Sequence, residues 1–170
     1  VDFTWSLGYF LMATGESQWA DMIEKAVMNA GMGAITKDFR SLQYFSSVNQ
    51  VIATGNSNNN RFKHGSTWMA YRPTHETECC SGNIHRLLPN YVSRMWLRDD
   101  KGGVVAALYG PSAFSATTDD GHAYTITEET NYPFSSIVRF QISTDKPVVV
   151  PLRLRIPGWC VDFSIGINGH

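Results

Sequence analysis

Apolar side chains fall on nearly every side of the stretch from Phe3 to Thr14: Phe3, Trp5, Leu7, Tyr9, Phe10, Leu11 and Met12. That pattern predicts a helix buried all round, which needs more neighbours than this chain supplies. Gly15 reads as its stop and Ser17 as the cap of the next helix. In that second helix Trp19, Met22, Ile23, Ala26, Val27 and Ala30 recur at helical spacing, with Glu24 and Lys25 on the outer face and Gly31 and Gly33 at the end. A helical hairpin is therefore expected in the first third of the chain. Residues 34 to 78 keep no sustained period. Leu42 to Val51 suits a short strand pair, and Thr54 to Asn60, rich in Gly, Ser and Asn, reads as a surface loop of the kind that can also carry part of a site. A third helix comes next, where Ile84, Leu87, Leu88, Tyr91, Val92, Met95 and Trp96 repeat at three and four; Pro89, inside the repeat, should kink or split it.

Beyond Gly103 the period changes from 3.6 to 2. Val104–Tyr109, Ala113–Thr117, His122–Glu128, Ile137–Ser143, Val148–Ile156 and Asp162–Ile167 are short runs separated by Gly, Pro, Asn or Asp. Leu152, Leu154 and Ile156 alternate with Arg153 and Arg155, one set on each face. Short strands at such spacing predict an all-β sandwich. The turn Asp99–Gly103 is the best boundary, dividing a helical segment, residues 1–100, from a sandwich segment, residues 101–170. The chain opens at Val1 within a helical pattern and stops at Asn168-Gly169-His170, the middle of a hairpin, so both ends are expected to be cut.

Composition narrows the class without changing this outline. A 43% hydrophobic and 17% charged content is that of a globular chain, and no apolar run approaches the ~20 residues of a membrane helix. The formal net charge of −1, from 14 basic and 15 acidic residues with no Lys/Arg run, offers no phosphate footprint. Neither a nucleic acid nor a membrane is expected as a partner. The 12% aromatic content suits a sugar site as well as a dense core. The cysteines are Cys79, Cys80 and Cys160; neighbours in sequence rarely bridge without strain, so free or metal-bound thiols are expected.

Chemistry concentrates in His75-Glu76-Thr77-Glu78-Cys79-Cys80-Ser81-Gly82-Asn83, where two thiols, two carboxylates and an imidazole fall within six residues. The pair precedes a predicted helix start, whose dipole would favour the thiolate, the form that attacks carbon and binds zinc. From spacing alone several uses remain open. Free cysteine is often simply buried. A structural zinc would want a second Cys pair, which the chain lacks. A Cys–His hydrolase would draw on Cys79 with His75 or His85.

The segment Glu78-Cys79-Cys80-Ser81-Gly82-Asn83-Ile84-His85-Arg86-Leu87-Leu88 resembles the Cys-Cys-x-x-Asn-x-x-Arg segment of glycoside hydrolase family 127. The flanks agree: Ala13-Thr14-Gly15, Trp19-Ala20-Asp21 and Glu24-Lys25-Ala26 resemble the preceding helical hairpin. Leu152-Arg153-Leu154-Arg155-Ile156-Pro157-Gly158-Trp159-Cys160 resembles a strand and turn of the sandwich beyond it.

The resemblance implies a multidomain protein, with the C-terminal helical hairpins of an (α/α)6 barrel followed by a β-sandwich. It also implies a retaining, exo-acting β-L-arabinofuranosidase acting on an oligosaccharide or glycan. Cys79 is then the nucleophile, and Cys79 and Cys80 are zinc ligands. Tyr44 resembles a substrate-contacting tyrosine, and His75, beside the thiols, is a second candidate for that role. The family's remaining zinc ligands, a Glu-x-Cys segment, and its acid/base glutamate lie upstream. The expected partner is therefore the missing N-terminal barrel half of the same protein. The alternative is a non-catalytic fragment that binds carbohydrate or only packs.

Overall fold

The computed structural model describes residues 1–46, 50, 52–54, 69–75 and 78–170. Of the loop expected over 54–60 only Thr54 is among them, and Glu76 lies outside the described residues. Two helices open the chain, α1 (Asp2–Thr14) and α2 (Ser17–Lys25), the second continuing as a π-helical turn over Ala26–Gly31. Between them Gly15 takes a left-handed conformation, φ 69°, which a side chain would resist. The short strands β1 (Leu42–Gln43) and β2 (Tyr71–Arg72) come next, then a 3-10 turn (Ile84–Arg86) and α3 (Leu87–Val92). Six strands complete the order: β3 (Trp96–Arg98), β4 (Val104–Ala106), β5 (Ser112–Thr117), β6 (Ala123–Thr130), β7 (Val138–Thr144) and β8 (Leu152–Leu154). Among the described residues no helix is long and apolar enough to cross a membrane.

The chain forms two compact units, Val1–Tyr9 with Met22–Tyr91, and Phe10–Asp21 with Val92–His170. In the first, Leu7, Ile23, Val27, Leu42, Met69, Leu87 and Tyr91 are buried. Thr4 accepts a buried hydrogen bond from Asn90, which ties α1 to α3. Strand β1 pairs antiparallel with β2, Leu42 opposite Arg72; of the strand pair expected over residues 42–51, residues 47–49 and 51 lie outside the described residues. The Gln43 side-chain amide donates both to Met69 O at 2.6 Å and to Gln50 Oε1 at 2.8 Å.

Helix α1 exposes much of its apolar surface, as the shortage of neighbours implies. Leu7 and Leu11 are buried, but Phe3, Trp5, Tyr9, Phe10 and Met12 are each roughly half exposed, since apolar groups on several sides outnumber what one packed face covers. The third helix is shorter than its pattern. Pro89 sits in the first turn of α3, where its missing N–H has no intrahelical partner to lose, so the helix begins around it rather than kinking. Met95 and Trp96 lie beyond the helix end: Trp96 opens β3, ahead of the turn Asp99–Gly103, opposite Ala106 of β4.

In the second unit two three-stranded sheets, ordered β3-β4-β8 and β5-β6-β7, pack through one core. Val104, Tyr124 and Ile126 are its buried centre, with Trp96, Phe114, Phe140 and Leu152 against them. Trp96 stacks on Phe114 at 5.7 Å and donates its indole N–H to Ser112. Alternating apolar positions thus produce the expected sandwich pairing of faces. The run 162–167, expected as a strand, has no ladder partner among the described residues, and Val161, Phe163, Ile165 and Ile167 are exposed. Its turn is present all the same. Asn168 and Gly169 have φ of 52° and 86°, and Ile167 and His170 exchange two backbone hydrogen bonds, the closure of a type I′ hairpin.

Arg155 was expected to share a face with Arg153. Instead the strand ends at Leu154, and Arg155 turns inward to become buried. Its guanidinium donates to Ala107 O and to Asp21 Oδ1, 2.5 Å each, and lies 5.3 Å from the centre of the Tyr109 ring. The second Asp21 oxygen accepts the Gly158 N–H at 3.0 Å. A Cβ on Gly158 would stand 2.7 Å from that oxygen, so the Arg-Ile-Pro-Gly-Trp block is a socket for Asp21.

Candidate active site

The thiol pair lies in a tight turn of the first unit. The Gly82 N–H bonds to Glu78 O at 2.8 Å and the Ile84 N–H to Cys80 O at 2.9 Å. The Asn83 side chain donates to Cys79 O at 2.5 Å and accepts from Arg86 at 2.5 Å. Arg86 reaches on to Asp2 at 3.4 Å, an exposed contact of small worth. This gives the Cys-Cys-x-x-Asn-x-x-Arg spacing a physical meaning: Asn83 grips the carbonyl of Cys79, and Arg86 fixes which way the amide points. The roles of Asn83 and Arg86 were missed by reasoning on chemistry alone, although their three-residue spacing on one turn was the available signal.

Tyr44 arrives from the end of β1, and its hydroxyl lies 3.3 Å from Cys79 Sγ across 35 residues of sequence. The sulfurs of Cys79 and Cys80 are 3.9 Å apart. Cys79 is exposed, and the hydrogen bond from Tyr44 is the largest influence holding its thiol below the ordinary range. Cys80 moves the other way, raised first by burial and then by its neighbour's sulfur. Tyr44 is pushed up to about 12, chiefly because its proton is engaged by Cys79. The pair is thus asymmetric, with Cys79 the sulfur that ionises first. A long helix dipole is not the source: a three-residue 3-10 turn comes after the thiols, and α3 has six residues.

His75 is buried, with Nε2 2.9 Å from Leu42 O and its ring 5.9 Å from that of Tyr44. The structure thereby brings Tyr44, His75, Cys79 and Cys80 into one neighbourhood. His85 is exposed and Cys160 belongs to the other unit, where its thiol faces Asp162 O at 3.3 Å.

The donor set admits a soft cation in part. Two sulfurs on a tetrahedral zinc with Zn–S of about 2.3 Å stand roughly 3.8 Å apart, close to the spacing of the pair. Among the described residues no group of three or more His, Cys, Asp or Glu gathers around a common point, so the pair supplies one edge of such a site. A direct check on the asymmetry is alkylation of Cys79 in chelator-treated protein. Because Tyr44 donates to the thiolate, Tyr44→Phe should move the pH midpoint of Cys79 alkylation upward; an unmoved midpoint would refute the role of that bond.

A family model described as Beta-L-arabinofuranosidase, GH127 catalytic domain, matches residues 3–93, and another, Beta-L-arabinofuranosidase, GH127 middle domain, matches residues 103–170. The chain is similar to the non-reducing end beta-L-arabinofuranosidase of Bifidobacterium longum subsp. longum, 23% identical over 161 residues, 91% of this chain and 23% of that protein. It therefore spans about a quarter of that relative's length. Among solved structures it is similar in fold to a glycoside hydrolase, with a TM-score of 0.68 and 21% identity, over 90% of this chain and 24% of that one.

Proposed function

Because the chain belongs to the β-L-arabinofuranosidase family of glycoside hydrolases, GH127, we propose that it carries the thiol side of a retaining, exo-acting arabinofuranosidase site. The substrate class is a glycan ending in β-L-arabinofuranose. The observation that carries this reading is the hydrogen bond from Tyr44 to Cys79, which favours a thiolate at the exposed member of the pair.

In the proposed reaction Cys79 Sγ attacks the anomeric carbon. The C–S bond forms as the glycosidic C–O bond breaks, and the leaving oxygen takes a proton from an acid. Water, giving a proton to that acid's conjugate base, then displaces the sulfur at the same carbon, giving net retention and returning both the thiolate and the acid. Two displacements by sulfur replace the carboxylate pair of most retaining glycosidases. Tyr44 steadies the thiolate between turnovers and faces the sugar; Asn83, held by Arg86, fixes the backbone of Cys79. Cys79 and Cys80 would also hold a zinc ion, which when bound keeps thiols deprotonated at neutral pH. Its remaining ligands and the acid/base carboxylate are assigned to other residues of the same protein, in an (α/α)6 barrel to which α1, α2 and α3 belong.

The test is elemental analysis paired with covalent labelling of the full-length protein. About one zinc per chain is expected, lost in the Cys79→Ser/Cys80→Ser double variant. A mechanism-based arabinofuranoside inactivator should label Cys79 by mass spectrometry. Zinc retained in the double variant, or label found on a carboxylate, would replace this mechanism with the ordinary one.

A further inference from the structure

We infer that His75 is a positioning residue for the thiol site: by pinning the Leu42–Tyr44 segment it sets where the Tyr44 hydroxyl meets Cys79. This rests on the reading of Cys79 as the nucleophile. His75 stands only four residues ahead of Cys79 in sequence, yet it is just 6% exposed and its ring is directed at the other segment. The carbonyl of Leu42 can only accept, so Nε2 carries the hydrogen and Nδ1 is left with a bare lone pair. That Nδ1 is buried and has no hydrogen-bond partner among the described residues.

A purely space-filling residue would avoid such an orphaned acceptor, because burying a polar atom unpaired is unfavourable. What the imidazole supplies here is its other nitrogen, which donates to Leu42 O. Strand β1 is two residues long and its ladder with β2 ends at Gln43, one residue before Tyr44. His75 contacts this segment twice, through the Leu42 carbonyl and through a tilted ring contact with Tyr44, 5.9 Å between centroids at 60°. The Tyr44–Cys79 bond, at 3.3 Å between segments far apart in sequence, has no slack for a drifting tyrosine.

The experiment uses the full-length, zinc-loaded protein with an aryl β-L-arabinofuranoside. His75→Leu should lower kcat about tenfold with KM nearly unchanged, the size of one hydrogen bond to a charged group. His75→Gln, which keeps an N–H for Leu42 O, should restore most of kcat. Tyr44→Phe should lose a similar factor, and adding His75→Leu to it should change nothing further, since the histidine acts through the tyrosine. In parallel, amide exchange over residues 42–45 should speed up in His75→Leu and stay slow in His75→Gln.

An unchanged kcat in His75→Leu, losses that multiply in the double variant, or unchanged exchange over 42–45 would each overturn the inference. Should the leucine variant not fold, His75→Gln decides alone: near-normal kcat with slow exchange supports the anchor, and loss of kcat overturns it. Activity surviving in Cys79→Ala would instead sink the nucleophile assignment, while exchange at 42–45 would still judge the anchor.

Discussion

In the full-length protein Cys79→Ala should reduce hydrolysis of an aryl β-L-arabinofuranoside by about 10⁴-fold or more, because under the proposed covalent mechanism it removes the attacking atom and leaves only binding and acid–base help. Cys80→Ala should also be severely impaired, but by a different route: metal content falls, and part of the loss should return at high zinc concentration. Cys160→Ala should be unchanged in kcat, since that thiol sits in the other unit against a backbone carbonyl. The three variants therefore separate nucleophile, ligand and bystander in one assay. Equal and moderate losses in Cys79→Ala and Cys80→Ala, both rescued by zinc, would mean that both thiols only bind metal. The reacting carbon would then be attacked by something else.

The second large effect is on stability. Arg155→Ala should lower the unfolding free energy of the second unit by about 3–5 kcal/mol, the cost of breaking a buried ion pair from one side. The Arg155 side chain is 3% exposed and that of Asp21 26%, so solvent can do little to replace the lost partner. Three groups lose a donor together: Asp21 Oδ1, the carbonyl of Ala107 and the face of the Tyr109 ring. Asp21→Asn should be milder, because the amide oxygen can still accept from Gly158. Urea denaturation monitored by tryptophan fluorescence reads both variants. A midpoint shift in Arg155→Ala no larger than that of an exposed control such as Lys146→Ala would show that the pair contributes nothing net.

Periodicity made the two opening helices and most of the sandwich strands legible, because α2 buries Ala20 and Ile23 and β6 alternates along its length, but Glu24, expected on the outer face of α2, is buried. It misled where one pattern serves two elements. The three-and-four spacing from Ile84 to Trp96 continues across a helix end, since Trp96 is equally well buried from a strand, between Phe114 and Phe140. The thiol pair stood out from its density of ionisable groups. What makes its members unequal did not, because that depends on a tyrosine 35 residues away and on no local motif. Arg155 was assigned to the wrong face for a related reason. Alternation holds only while the strand continues, and β8 stops one residue earlier.

The segment Phe10–Asp21 packs with the sandwich strands although it lies within the stretch matched to the catalytic domain. Asp21 and Arg155 are 134 residues apart and fall under different family models. In evolutionary terms the sandwich is then a poor unit of exchange. A recombination event at Asp99–Gly103 would deliver Arg155 and Gly158 to a helical partner that has not been selected to present an aspartate there. Such chimeras would inherit an unpaired buried guanidinium, so the two segments should be inherited together, and Asp21 should drift only in step with Arg155. Anyone transplanting this sandwich onto another helical segment must transplant the far end of the first helix and the start of the second with it.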